Sequence, residues 1–380
     1  MEVYLDSSAT TKPYKEVAKT VYDTMLSAYG NPSSLHRMGK AAEDLLEECR
    51  KKIASTVYGT ADEIYFTSGG TESDNMALIG YALANKRRGN RIICQKTEHA
   101  AVLEALKFLE QNDFEIVFID ILPDGTPDLL RLKEEAQKGA LLMSFMYVNN
   151  ETGAIFPVEE IAAIAKANKC ALHIDAVQAY GKLPINVRTL GAQMLSISSH
   201  KIHGPNGVGA LYVKKGTKLN PVIFGGKQEK GLRSGTENLA SISGFAKACE
   251  LKFASLEKDN ENMLSLKNEL LKKLTKNIDG IVVNSPEKSV CSILNVSFTG
   301  VKSEVLLHVL ESNGIYVSSG SACNSKKNKF SYVLREMKLS PNVLDSAIRF
   351  SFSPSNTMEE IDYVVSVLSR EIPILRKIMK

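Results

Sequence analysis

Lys201 is the residue of this chain whose type and setting best suit covalent chemistry. It lies in the run Ser198-Ser199-His200-Lys201-Ile202-His203-Gly204-Pro205, between apolar stretches over 194–197 and 208–213. Both stretches read as buried strands, so the lysine occupies the tight connection between them. Burial makes an ammonium costly and lowers its pKa, which turns lysine into an amine nucleophile able to capture an aldehyde. Taken alone, the same lysine could pair with a carboxylate at a strand end.

In an open parallel sheet, ligands bind beyond the carboxyl ends of the strands, so the residues that follow each predicted strand carry the argument. Phe66 is followed by Thr67-Ser68-Gly69-Gly70-Thr71-Glu72, Cys94 by Gln95-Lys96-Thr97-Glu98-His99, and Val148 by Asn149-Asn150-Glu151-Thr152-Gly153. The strand over 172–174 ends in Asp175, with Gln178 three residues later, and 194–197 ends in Ser198-Ser199-His200-Lys201. These consecutive strand ends bear groups suited to one polar aldehyde cofactor, of which pyridoxal phosphate is the commonest.

Ser68-Gly69-Gly70-Thr71 opens a helix, where free N–H groups and hydroxyls face an anion and glycine lets the backbone come close. It is neither a Walker sequence nor G-x-G-x-x-G, which argues against a nucleotide. Asp175 could keep a pyridine nitrogen protonated and so make the ring an electron sink. His99 could stack on the ring and move protons, while Asn150 and Gln178 could hydrogen-bond the ring oxygen. Singly, each group has an ordinary alternative: a helix cap for the Ser/Gly/Thr cluster and for Asp175, a structural role for His99, loop hydrogen bonding for Asn150 and Gln178. Together, those alternatives would have to coincide at every strand end.

Two residues elsewhere complete the set. Cys323 lies in Val317-Ser318-Ser319-Gly320-Ser321-Ala322-Cys323-Asn324-Ser325, a small polar loop without an apolar packing pattern, a setting suited to a reactive thiol whose thiolate is the nucleophile. Arg349 is a charge inside the alternating strand Ala347-Ile348-Arg349-Phe350-Ser351-Phe352. Its planar donors suit a substrate carboxylate, and an internal salt bridge is the alternative.

The elements that must hold these groups follow a regular grammar. After a short strand over 3–5, a helix reaching about residue 28 and another over 40–57, strands at 64–67, 91–94, 115–119, 141–148, 171–174, 194–197 and 208–213 are expected. Helices over 71–86, 100–111 and 158–168 separate them. This alternation predicts a largely parallel sheet covered on both faces. A helical region over 238–274 then leaves the sheet, followed by strands at 281–283, 292–296 and 348–352 and helices at 303–311 and 358–369. The expected domains are 13–253, a large cofactor-binding domain, and 254–380, a small α+β domain, joined by the N-terminal segment 1–12.

The chain has 380 residues, 44% hydrophobic and 24% charged, with a net charge of +4, values of a soluble globular protein. Its lysines are scattered, which argues against a nucleic-acid binder. No apolar run is long enough to span a membrane and no leader pattern precedes the first strand. Six cysteines without a C-x-x-C pair point to a reducing compartment, hence to the cytoplasm, and to no structural metal site.

On these residues the chain resembles the pyridoxal-phosphate-dependent cysteine desulfurases of the branch serving nitrogenase and iron–sulfur cluster assembly. The matching runs include Tyr4-Leu5-Asp6 with Ala9-Thr10-Thr11, Gly30-Asn31-Pro32-Ser33-Ser34 with His36, Ser68-Gly69-Gly70-Thr71-Glu72-Ser73-Asp74-Asn75, Asp175-Ala176-Val177-Gln178, Leu232-Arg233-Ser234-Gly235-Thr236-Glu237-Asn238 and Ser319-Gly320-Ser321-Ala322-Cys323. The resemblance implies an aspartate-aminotransferase-like fold (pyridoxal-phosphate fold type I) working as a homodimer. By it, Lys201 would bond the cofactor aldehyde, Asp175 pair with the pyridinium, Gln178 touch the ring oxygen and His99 stack. Gly70, Thr71, Ser198 and His200 would hold the phosphate, joined by Thr236 from the second subunit. Asn150 and Arg349 would bind the carboxylate of L-cysteine. Cys323 would accept the sulfur as a persulfide, L-alanine would leave, and an acceptor such as an iron–sulfur scaffold or a tRNA-thiolation enzyme would take the sulfur; the one metal contact envisaged is transient iron–sulfur ligation by Cys323.

The chain departs from the family pattern at Lys227, within a glycine run, at Lys230, Asn206 and Ser353, and at Asn324-Ser325-Lys326-Lys327-Asn328-Lys329-Phe330. The last run suggests an acceptor with an acidic surface for Lys326, Lys327 and Lys329 to meet. Alternative readings are a selenocysteine lyase or another enzyme on the same chassis and, from a different class, a sulfur-pathway scaffold without cofactor. A simple aminotransferase has no need of Cys323.

Overall fold

The computed structural model describes residues 1–319 and 330–379. Its described strands, in chain order, are β1 (Val3–Tyr4), β2 (Ile64–Thr67), β3 (Arg91–Gln95), β4 (Glu115–Ile119), β5 (Leu142–Met146), β6 (Ala171–Asp175), β7 (Met194–Ser198), β8 (Gly209–Val213), β9 (Ile281–Val283), β10 (Ile293–Phe298), β11 (Ile315–Tyr316) and β12 (Ala347–Ser351). Seven of them form one sheet in the order β2-β8-β7-β6-β5-β3-β4. Only β8 opposes its neighbours; β4, β3, β5, β6 and β7 run parallel. The strand order turns back between β3 and β5, and such a reversal opens a crevice beyond the carboxyl ends of the strands.

Every residue of β5, β6, β7 and β8 is buried. That is why these strands read as largely apolar runs: helices cover both faces of the sheet, and the polar Ser144, His173 and Ser196 within them hydrogen-bond one another. Successive residues divide between two cores at the strand period of two. Ile93, Ala210 and Tyr212 join the core that holds Leu46, Ile53, Ile161 and Phe245. Ile92, Cys94 and Leu211 join the one that holds Met76, Tyr81, Val102 and Leu106.

A third core lies outside the large sheet. Met263, Leu266, Leu270 and Leu274 pack with Leu294, Val296, Ile348 and Phe350 and with Ile361, Val364 and Leu368. Here β9, β10 and β12 form a three-stranded antiparallel sheet. The amino-terminal strand β1 pairs in parallel with β11, Val3 opposite Ile315, so the start of the chain is tied to its final third.

Several expectations shift at their edges. The helical region over 238–274 is two helices, Leu239–Ala254 and Leu256–Asn277, broken at Ser255. The last helix runs Met358–Ile378, straight through Pro373, well past residue 369. The helical run after Gly69 contains a π-helical turn, Met76–Gly80. The helix Leu129–Gln137, capped by the Asp128 carboxylate, was not anticipated because its apolar face is short.

Candidate active site

A cavity of 330 Å³ opens at the carboxyl ends of the parallel strands. Gly70, Thr71, His99, Asn150, Asp175, Gln178, Ser198, His200, Lys201 and Arg349 line it, joined by Ser8, Ala9, Asp74 and Glu151. Thr236 is exposed on a loop and does not line this cavity. Cys323, Lys326, Lys327 and Lys329 lie outside the described residues. A larger groove, 880 Å³, sits at the opposite end of the sheet among Arg88, Lys166, Lys169, Lys214 and Lys218, and none of the predicted groups reaches it.

Lys201 ends a 3₁₀ turn, Ser199–Lys201, that follows β7 directly. Its Nζ donates to the carbonyls of Ser8 (2.5 Å) and Ala9 (2.7 Å), so the amino-terminal segment crosses the cavity and aims the amine. That segment is held in turn by Thr11, whose amide and hydroxyl both donate to the His200 carbonyl, at 3.0 and 2.8 Å. Glycine is needed where the backbones meet: a Cβ on Gly204 would sit 2.0 Å from Ser199 Oγ, and one on Gly209 would sit 2.7 Å from Gly69 Cα.

The helical run from Gly70 supplies the anion-binding character. Its first N–H groups have no intrahelical partner, and Gly69, at φ +153°, takes a conformation that glycine alone adopts readily. A Cβ on Gly70 would meet Val177 Cγ2 at 2.7 Å. Ser198 Oγ is buried and has no hydrogen-bond partner among the described residues. His200 donates to or accepts from Thr10 Oγ1 at 3.2 Å through Nδ1, and burial, then the Lys201 charge, push its pKa down to about 4.

Asp175 ends β6 and accepts from the Val177 amide at 2.9 Å. Burial raises its pKa, against that hydrogen bond and the charges of His99 and Lys201, which lower it. Asp74 and Glu98 are likewise raised by burial and then by the Asp175 charge. His99 caps the helix Ala100–Glu110 with Nδ1 accepting from the Ala101 amide at 3.2 Å, which leaves the proton on Nε2. Burial lowers its pKa, so the ring is held neutral. Gln178 Nε2 donates to the Ser8 carbonyl at 2.9 Å.

Arg349, on β12, reaches the cavity from the other side. Its Nη1 donates to the Asn150 carbonyl (2.9 Å) and Nη2 to Asp6 Oδ1 (2.7 Å), while Nε is buried without a partner among the described residues. Asn150 Oδ1 is also unpartnered there. Glu151, fully enclosed, accepts from Ser331 Oγ at 2.5 Å, and burial pushes its pKa up to about 7. Tyr332 adds a hydroxyl that donates to the Glu98 carbonyl at 2.6 Å.

These groups fit pyridoxal phosphate. Burial raises the carboxyls of Asp74, Glu98 and Asp175, and the Asp175 charge raises the first two further; a ring N–H⁺ beside Asp175 would relieve that excess. Open N–H groups at Gly70 and Thr71, with the orphaned Ser198 hydroxyl, match a phosphate. Sequence reasoning passed over Ser8, Ala9 and Asp6, whose contribution is a carbonyl or a counter-charge delivered from the far end of the chain, and Asp74, Glu151 and Ser331. Periodicity carries no signal for such contacts; the Asp6-to-Thr11 run stood out only by resemblance.

The departures have local explanations. Lys227 and Lys230 both adopt left-handed backbone, φ +67° and +56°, where glycine is usual. Lys230 is compensated by Asp62 at 3.3 Å and by the Tyr65 ring face. Asn206 accepts from Thr10 Oγ1, and Ser353 Oγ meets Ser355 Oγ at 2.8 Å.

Among known families, the aminotransferase class-V model matches residues 3–364. The cysteine desulfurase IscS of Dictyoglomus turgidum is 42% identical over 378 residues, 99% of this chain and 96% of that protein. The cysteine desulfurase IscS of Methanosarcina thermophila is 40% identical over 374 residues, 98% and 93% of the two. Of solved structures, a NifS-like protein aligns with a TM-score of 0.93 at 36% identity, covering 99% of this chain and 100% of that one. SspA in complex with cysteine aligns at 0.82 and 30% identity, covering 93% and 100%.

Proposed function

Because the chain belongs to the aminotransferase class-V family, we propose that it is a pyridoxal-phosphate-dependent cysteine desulfurase converting L-cysteine to L-alanine and passing the sulfur to Cys323. The observation that carries this reading is the meeting of Lys201, Asp175, His99 and Arg349 in one cavity whose donor set suits that cofactor. SspA in complex with cysteine, a relative by structure and sequence, supports the substrate.

When bound, pyridoxal phosphate supplies an electrophilic aldehyde and an electron sink for charge released at the substrate α-carbon. Lys201, aimed by the Ser8 and Ala9 carbonyls, would be the amine that holds the aldehyde and the base for the substrate α-proton. Asp175 would keep the ring nitrogen protonated. His99, neutral and with its proton on Nε2, would stand against the ring and handle protons beside it. Gln178 would donate to the ring oxygen. Gly70, Thr71, Ser198 and His200 would hold the phosphate.

Arg349 and Asn150 orient the substrate carboxylate. The Cys323 thiolate attacks the substrate sulfur: an S–S bond forms, the substrate Cβ–S bond breaks, and Cβ gains a proton, leaving a persulfide and L-alanine.

The working unit is a homodimer, with Thr236 of the partner subunit completing the phosphate site; the exposure of Thr236 away from its own cavity supports this. The division into 13–253 and 254–380 is supported by the helix break at Ser255 and the separate core around Leu294 and Phe350. Sulfur passes to an acceptor protein of iron–sulfur assembly or tRNA thiolation, and Lys326, Lys327 and Lys329 favour an acidic face on it. A cytoplasmic setting rests on the cysteine usage, with Cys49, Cys94, Cys170, Cys249 and Cys291 all free thiols. No helix of the described residues is long and apolar enough to cross a membrane.

Mass spectrometry after incubation with L-cysteine tests the proposal: one added sulfur on Cys323, with L-alanine released, is expected, and borohydride fixes the cofactor on Lys201. A Cys323→Ala variant that keeps full alanine production from cysteine would overturn the sulfur-acceptor assignment in favour of a lyase on the same chassis.

A further inference from the structure

Behind the cavity wall lies a cation that the reaction does not use. Lys182 is 8% exposed, and no carboxylate pairs with it among the described residues. Its Nζ folds back to donate to the Gln178 carbonyl at 2.9 Å and to Gln178 Oε1 at 3.1 Å. Gln178 Nε2 consequently faces the Ser8 carbonyl, the same oxygen that accepts from Lys201.

We propose that Lys182 is a positioning residue that fixes the side-chain amide of Gln178, so that the cavity meets an N–H donor there and not an oxygen. This rests on the pyridoxal phosphate reading above, in which Gln178 donates to the ring oxygen. An amide turned the other way would set its NH₂ against the Lys182 amine, donor against donor, and would lose a charge-assisted hydrogen bond. The clash is complete with the amine protonated; a neutral amine could accept from a turned amide, but the turned Oε1 would then face the Ser8 carbonyl, acceptor against acceptor, so the observed orientation is still preferred. Burial, then the charges of Lys201 and Lys252, bring its pKa down to about 7.

The backbone under Lys182 is fixed from several sides, which is what lets so flexible a side chain act as a reference point. Its amide donates to the Ala179 carbonyl at 2.9 Å, and its carbonyl accepts from Asn260 Nδ2 at 2.7 Å, from the helix Leu256–Asn277. The preceding Gly181 sits at φ +70°, with Ile202 Cγ2 only 2.6 Å from where a Cβ would be. A non-polar residue at 182 would leave Gln178 Oε1 buried without a donor, free to turn toward the ring oxygen, acceptor against acceptor.

The test is a double-mutant cycle on the affinity of the purified protein for pyridoxal phosphate, read by absorbance titration. Lys182→Met and Gln178→Ala are each expected to weaken binding about tenfold. The double variant is expected to lie within about twofold of Gln178→Ala alone, since Lys182 acts through that amide. The absorption maximum of the bound cofactor shifts the same way in both single variants.

Additive losses, or a Lys182→Met protein that binds as wild type does, overturn the inference. If Lys182→Met does not fold, Lys182→Gln, too short to reach Oε1, is judged by the same criterion. Wild-type protein that takes up no pyridoxal phosphate overturns the cofactor reading itself, an outcome distinct from a normal wild type with an indifferent Lys182 variant.

Discussion

Replacing Arg349 by lysine keeps the charge and removes the fork, so it isolates what the guanidinium geometry contributes. In the structure Nη2 is held by Asp6 at 2.7 Å and Nη1 by the Asn150 carbonyl at 2.9 Å, while Nε is enclosed without a described partner. Those two contacts set the plane of the group and leave its remaining N–H bonds for a carboxylate. A single ammonium at this position must choose between Asp6 and the substrate. The loss is then one charge-assisted hydrogen bond, about 1.5–3 kcal/mol, which corresponds to a rise in KM for L-cysteine of about 10- to 100-fold. The kcat changes by only a few fold, because the carboxylate is held in both ground and transition states. The assay is the initial rate of alanine formation against L-cysteine concentration, on protein whose bound cofactor has been quantified by absorbance. A KM within twofold of wild type at full cofactor occupancy would refute the assignment of Arg349 to the substrate carboxylate. Asp6→Asn, which loosens the plane but keeps the fork, raises KM by less than Arg349→Lys does.

Two further outcomes are expected. Glu151 is a buried carboxyl whose pKa is raised to about 7, so the folded protein keeps a proton that the unfolded chain has lost above the ordinary carboxyl range; its contribution to stability is present at low pH and declines as pH rises through 7. Glu151→Gln should therefore gain on wild type by up to about 3 kcal/mol between pH 4.5 and 7, read from urea unfolding at the two ends; a constant difference across that range would sink the argument. Glu229 accepts two bonds from Arg50, at 2.7 and 2.8 Å, and one from the Phe66 amide, and both side chains are nearly inaccessible. Glu229→Gln should cost about 3 kcal/mol, the lower end for a broken buried pair because Glu47 still holds Arg50 Nε; a urea midpoint equal to wild type would show the pair contributes nothing.

The strand-and-helix grammar was legible because a sheet covered on both faces requires predominantly apolar strands, and β5 to β8 supply them. Apart from Ser144, His173 and Ser196, which satisfy one another inside the sheet, the polar residues fall at or just beyond strand ends, which is why His99, Asn150, Asp175, Gln178 and Lys201 stood out. Illegible were features set by contacts between distant segments. Nothing in Tyr4 to Thr11 announces that two of its carbonyls will receive the Lys201 amine. The break at Ser255 and the continuation of the last helix past Pro373 depend on what packs against them, not on local propensity.

From its residues alone, this chain determines a parallel-type sheet and the chemical character of the groups at its edge, because burial enforces largely apolar strands and gathers most polar residues where strands stop. Which way those groups face was decided by the tertiary structure: the amino-terminal crossing that aims Lys201, the Asp6 carboxylate that sets the plane of Arg349, the Lys182 amine that turns the Gln178 amide. For Lys201 and Arg349 the partners come from 192 and 343 residues away, and for Gln178 from four residues on in a turn whose path tertiary packing sets; such partners leave no periodic trace in the chain.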